Sequence, residues 1–300
     1  MRNRPEAGFT LIELIVVIVL IGVIATVVAQ NIYAPVRSFL DLSRRAALQD
    51  TAEGALRRMT REVRLALPNS VRLRDGSATM LDTCDTTTAS GNICALELVR
   101  TLEGGRYRMA LDAGTSSYCA DDTLDFSVNT DCFQVLGQLQ DVPAPATLGN
   151  QQADCGTKVC MVIYNTGQPG ANVYDKDNIA AVETASADAI TFNNADVPTF
   201  AFPWESPEQR FQLIDTPVSF VCDPTGGGLL LRYSNYNIST AQSTTPGGLQ
   251  AELADNVASC SFRYEQGASS RSGLVSIAIT LTRDNESIHL LEQIHVFNLP

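Results

Sequence analysis

The sequence predicts an α+β fold: one long N-terminal helix, apolar in its first half and amphipathic in its second, packed on an antiparallel β-sheet with disulfides. Three observations predict it. Residues 9–29 carry a single charge, Glu13. From residue 36 to 67, apolar side chains recur at mostly three- and four-residue spacing. Beyond Pro68 the chain breaks into short β-type runs among eight cysteines, all of which follow the helix.

The apolar run comes first. A helix needs about 20 apolar residues to cross a bilayer, and residues 9–29 supply them. The Val and Ile density there favours a strand in water. In lipid each backbone group must be satisfied within the segment, so a helix wins. An ordinary secretory signal has an apolar core of about 7–15 residues and is cut after it. Here the small residue, Gly8, precedes the core. A cut after Gly8 removes a short basic leader, residues 1–8, and leaves the apolar helix in the mature chain. Arg2 and Arg4 lie before the span, and no Lys or Arg follows until Arg37. That charge bias keeps the amino end in the cytoplasm and sends the rest outside, which in a Gram-negative cell is the periplasm.

Residues 30–67 continue the helix. Pro35 removes one hydrogen bond and should bend or loosen it. Val36, Leu40, Leu48, Ala52, Ala55, Leu56, Met59, Val63 and Leu67 form one face for a core. Arg57, Arg58, Arg61 and Arg64 read as a solvated face with Glu53 and Glu62 as helical neighbours. Pro68-Asn69 stops the helix.

Residues 68–300 then read as a β-rich globular domain. Strands are expected at 71–74, 95–99, 107–111, 159–164, 211–214, 218–221, 229–233 and 257–264. A closing hairpin is expected from 274–281 and 288–297 around Arg283-Asp284-Asn285-Glu286. Residues 141–157 and 165–208, rich in Pro, Gly, Ala, Asn and Asp, are expected to be long loops. Cys84, Cys94, Cys119, Cys132, Cys155, Cys160, Cys222 and Cys260 fit neither thiol catalysis nor a zinc ribbon, which needs two close cysteine pairs. Disulfides in an oxidising compartment are the expectation, paired nearest neighbour to nearest neighbour.

Net charge is −12, and loss of a leader carrying Arg2, Arg4 and Glu6 makes it one unit more negative. So acidic a chain argues against nucleic-acid binding, which needs clustered Lys and Arg. No catalytic constellation, metal set or cofactor motif is expected. Gly226-Gly227-Gly228 lacks the Lys-Ser/Thr of a phosphate loop and reads as a turn. Asp175-Lys176-Asp177-Asn178 opens like a calcium loop but lacks its later Gly and Glu. His289 and His295 share one strand face with no cysteine nearby. Trp204, in Phe200-Ala201-Phe202-Pro203-Trp204, is expected to pack under a loop, with a partner contact as the alternative.

Gly8-Phe9-Thr10-Leu11-Ile12-Glu13, followed by the apolar helix, resembles the processing site of type IV prepilins and type II secretion pseudopilins. That resemblance implies cleavage after Gly8 and methylation of the new Phe9 amine by a prepilin peptidase that is also an N-methyltransferase. Further segments, Arg44-Arg45-Ala46-Ala47-Leu48 and Leu67-Pro68-Asn69-Ser70-Val71-Arg72 among them, resemble the large minor pilins. The expected action is assembly, with other minor and major pilins as partners through the helix and an inner-membrane platform beneath. A membrane-tethered binding module, using the helix only as an anchor, is the rival. Glu13 has no basic residue near it in the span. The expectation is that it pairs, during assembly, with the Phe9 ammonium of an adjacent subunit.

Overall fold

A computed structural model describes residues 8–77, 80–109, 123–266 and 272–299. Its helix begins where the sequence supplies a cap. Thr10 is extended, and its carbonyl accepts the amides of Glu13 and Leu14 at 3.1 and 3.2 Å. From there α1 (Leu11–Arg64) runs as one element through Pro35, about 80 Å at 1.5 Å per residue. It ends three residues short of the expected Leu67. The backbone there leaves the helix to join a sheet: the Leu67 amide donates to the Val99 carbonyl at 2.8 Å, and Ala66 bridges Arg100.

The expected core face also starts later than the spacing suggested. Val36 and Leu40 are exposed, and the first buried helix residue is Leu48. The globular domain covers only the last part of α1, so amphipathic spacing before residue 48 does not meet a sheet.

Among the described residues fourteen strands follow: β1 (Arg72–Asp75), β2 (Met80–Leu81), β3 (Thr83–Asp85), β4 (Cys94–Tyr107), β5 (Thr130–Leu136), β6 (Cys160–Ile163), β7 (Ile179–Ala185), β8 (Ala189–Asn193), β9 (Arg210–Asp223), β10 (Leu229–Ser234), β11 (Leu249–Ala254), β12 (Val257–Glu265), β13 (Ser272–Arg283) and β14 (Glu286–Phe297). They form two antiparallel sheets rather than one. The smaller runs β14-β13-β12-β3. The larger is built on a long ribbon, β4 with β9, paired from Cys94↔Cys222 to Arg106↔Arg210.

The two ends of that ribbon serve different cores. At one end β1 and β2 extend the sheet beyond β4, and β10 and β11 extend it beyond β9. This end and the smaller sheet enclose the buried part of α1. Leu48, Ala52, Ala55, Met59 and Val63 pack with Leu96, Phe220, Phe262 and Ile277. At the other end the ribbon closes on itself in the order β4-β9-β6-β7-β8-β5-β4, a six-stranded antiparallel barrel. Its interior is aromatic: Tyr107, Phe133, Phe192, Phe202 and Phe211 pack with Met161 and Leu213. Closure removes the free edges that six short strands otherwise expose. Gly105 admits the Phe211 ring, since a Cβ at Gly105 would lie 2.7 Å from Phe211 Cζ.

The barrel corrects the reading of 165–208 as a loop, because β7 and β8 lie inside it. Ala180 and Val182 face the barrel core while Ile179 and Ala181 face a second buried cluster. Alanine is a poor strand former alone; burial on both faces outweighs that. Residues 141–157 do lack strands and hold two short 3-10 turns. The expected strand at 107–111 is partly Tyr107, the end of β4, while residues 110 and 111 lie outside the described residues.

Three disulfides lie wholly within the described residues: Cys84–Cys94 between β3 and β4, Cys155–Cys160 at the start of β6, and Cys222–Cys260 between β9 and β12. The first and the last tie the two sheets together. Cys132 is disulfide-bonded, and its expected partner Cys119 lies outside the described residues.

Candidate functional site

The N-terminal motif sits at the free tip of α1. Gly8, Phe9 and Thr10 precede the helix and are exposed. A peptidase needs an unwound, accessible bond, and Gly8-Phe9 lies in that stretch. The Glu13 amide also reaches Thr10 Oγ1 at 3.4 Å. Thr10-Leu11-Ile12-Glu13 therefore has the Thr-x-x-Glu pattern of a capping box, with its acid in the first turn. The reading of the motif as a processing signal missed this capping role, although the spacing carries it. A helix N-terminus is electropositive, and a cut after Gly8 would add an ammonium two residues before Leu11. A first-turn carboxylate offsets both.

Behind the tip, α1 is one helix long and apolar enough to cross a membrane. None of its most apolar 18-residue window is buried against the rest of the chain. The bare surface does not stop where a bilayer would. Ile32, Tyr33, Val36, Phe39 and Leu40 are exposed and fall on one stripe of the helix, with Gln30 and Asp41 on the other side and Arg37 at its margin over the Tyr33 ring. About 18 residues, or roughly 27 Å, separate the end of a 21-residue span from the first buried position.

The other sequence candidates fall elsewhere. Phe200 and Phe202 enter the barrel core, but Trp204 is 57% exposed and does not pack under a loop. His289 and His295 lie on the exposed face of β14, with Thr280 Oγ1 3.0 Å from His289 Nδ1. The Asp175 and Asp177 carboxylates accept from the Asn172 side chain at 2.8 Å and the Gly170 amide at 2.9 Å, which closes the turn. Gly226-Gly227-Gly228 is the turn between β9 and β10.

Two buried charge clusters were not legible in the sequence. Glu62 accepts from Arg232 Nε through both oxygens, at 3.0 and 2.9 Å, and from Arg58 at 2.6 Å. Glu97 accepts from Arg72 at 2.6 Å and from the Tyr236 hydroxyl at 2.8 Å, and Arg72 stacks 3.5 Å over the Tyr174 ring. Burial pushes the Glu97 carboxyl up, against the pull of Arg72 and Tyr236. It pushes both phenols up as well. Arg72 also donates to the Ser239 and Thr240 carbonyls at 2.8 Å. Every charge here has a partner, so the cluster fixes loops to the sheet rather than opening a site.

Residues 3–29 match the family model described as the prokaryotic N-terminal methylation motif. No curated protein and no solved structure matches the chain. The match covers the leader and the apolar segment. Together with a long helix laid on antiparallel sheets and three disulfides, it defines a type IV pilin-like protein with an N-terminal methylation motif.

Proposed function

We propose that this chain is a minor pilin or pseudopilin that acts in the priming or tip complex of a type IV pilus. The resemblance of its segments to the O component of the mannose-sensitive haemagglutinin pilus system favours an MSHA-type fibre. The J-type minor pseudopilin of type II secretion is similar in size and helix-first layout. The observation that carries the reading is the bare helix behind a methylation motif. Lipid covers about 30 Å of it, and the exposed stripe from Ile32 to Leu40 needs the helices of other subunits. In this reading the leader stays cytoplasmic and the globular domain is periplasmic. The prepilin peptidase and methyltransferase act at Gly8 and Phe9. An inner-membrane platform then moves the helix from bilayer to fibre.

Glu13 has a defined part in this. Cleavage leaves a methylated, still charged amine at Phe9, and Glu13 of one subunit pairs with that amine on the next and sets the axial register. Breaking a buried ion pair typically costs about 3–5 kcal/mol. Glu13→Val is therefore expected to be inserted and cleaved normally, yet to lose co-purification with partner pilins and to yield no fibres. Wild-type fibre counts for Glu13→Val contradict the register role.

The rival, a tethered binding module, has one observation in its favour: Trp204 stands exposed on the barrel. Deleting 165–208 does not test it, because that removes β7 and β8. Trp204→Ala does: surface binding lost with fibres intact assigns the barrel an adhesive role.

A further inference from the structure

Among the described residues β14 is an outer strand of the smaller sheet and pairs on one side only, with β13. The pairing is unbroken from Ser272↔Phe297 to Arg283↔Glu286. About half the N–H and C=O groups of β14 therefore point away from β13. Among the described residues, none of them makes a backbone hydrogen bond to another element. Long edges are ordinarily blunted by Pro, Lys, a bulge or shortness. β14 is 12 residues long and has no Pro, no Lys and no bulge.

The helix runs beside this edge. Arg45 pairs with Glu286 at one end, and the Asn69 amide donates to Asn298 at the other. Between them lies a groove of about 1040 Å³. Leu290, Leu291 and Glu292 line its strand side, and Gly54, Arg61 and Arg64 line its helix side beside the Glu53–Arg57 pair. Arg57 is held by Glu53 at 3.2 Å. Arg61 and Arg64 have no carboxylate partner among the described residues. The arginine run is thus one wall of a cleft, where the sequence suggested only a solvated face. In a chain of net charge −12, this cleft is locally basic.

We infer that the groove takes an extended, carboxylate-bearing segment of a neighbouring subunit, added to the sheet on β14. This rests on the reading of the chain as an assembly subunit. The free backbone groups of β14 supply main-chain pairing. Side chains on one face of the added strand turn to Arg61 and Arg64, because alternate residues of a strand share a face. An acidic segment matches those two unpaired cations. Gly54 keeps the helix wall low: a Cβ there meets nothing within 4 Å.

Hydrogen exchange on the full-length chain tests this, alone in detergent and in complex with co-expressed subunits that carry the same N-terminal motif. The β14 amides should exchange fast in the free chain and become protected in the complex. Gly54→Leu fills the groove without meeting its own core and improves helix propensity. That variant and Arg61→Glu/Arg64→Glu should both lose the β14 protection and the co-purifying subunit, while cleavage at Gly8 continues. A complex that forms with β14 still exchanging fast overturns strand addition and leaves the assembly reading standing. So do variants that keep wild-type protection and recovery. Protection in the chain purified alone, with a dimeric mass, assigns the groove to a second copy and overturns the neighbouring-subunit proposal. A wild-type chain that brings down no such subunit overturns the assembly reading and this inference with it.

Discussion

Glu62 shows how one residue ties the helix to the domain. It is 3% exposed in the middle of a basic run, and its two oxygens are held by Arg232 from β10. A carboxylate that deep is costly once unpaired. Arg232→Ala should therefore lower stability by about 3–5 kcal/mol, toward the low end because Arg58 stays. Replacing both partners, Glu62→Leu with Arg232→Met, should recover much of that loss, since an apolar pair of similar volume removes the buried charge. Urea unfolding of the three chains measures both effects; equal stability of wild type and Arg232→Ala contradicts the tie. The sequence offered only half of this arrangement. Arg58 and Glu62 are helical neighbours four apart and legible as such, whereas Arg232 is 170 positions from Glu62. Glu13, by contrast, stands out locally, because a lone acid in an apolar run is a local fact, although its place in the Thr10 cap was not read from it.

Among the elements, legibility followed the strength of the pattern. α1 and the β13–β14 hairpin stand out because a long apolar or alternating run needs no tertiary context. β9 read as two strands because Asp215, Thr216 and Pro217 interrupt it, but its partners carry it across the break. β2, β3, β5, β7, β8 and β11 went unseen. β2 and β3 have only two and three residues, β5, β7 and β8 are short barrel strands of which β7 is alanine-rich, and β11 is an edge strand with the composition of a helix, Leu-Gln-Ala-Glu-Leu-Ala. Nothing local distinguishes such segments from loop or helix. The disulfides were readable as a framework because short loops favour near pairing. The bridges should differ in worth. Cys222–Cys260 closes 38 positions and joins two sheets, while Cys155–Cys160 closes five. By loop entropy the first is worth on the order of 4 kcal/mol and the second about 2. Cys222→Ala/Cys260→Ala should thus lower the unfolding midpoint more than Cys155→Ala/Cys160→Ala. The reverse order contradicts the greater worth of Cys222–Cys260, which shares the linking of the two sheets with Cys84–Cys94.

At the scale of the whole molecule, one ribbon belongs to two cores. β4 and β9 pass from the helix-covered sheet into the barrel, so neither unit can unfold fully without breaking shared pairing. Amides of the central ribbon, such as those of Leu98 and Leu213, should therefore exchange slowest, near the global limit. Those of β11, mostly exposed at an edge, should exchange fast. Slower exchange in α1 than in the ribbon contradicts this order. The protruding helix stands apart from that framework: from Leu11 to Ala47 none of the described side chains is buried. In the proposed function its partners lie outside the chain, in lipid and then in other subunits. That proposal requires that the leader be removed and the helix retained. Intact-mass and N-terminal peptide mass spectrometry of the protein from its own membrane tests this most directly. The account predicts a mature chain that begins at N-methyl-Phe9. A mature chain beginning at Met1, or at any residue beyond Ala29, contradicts it.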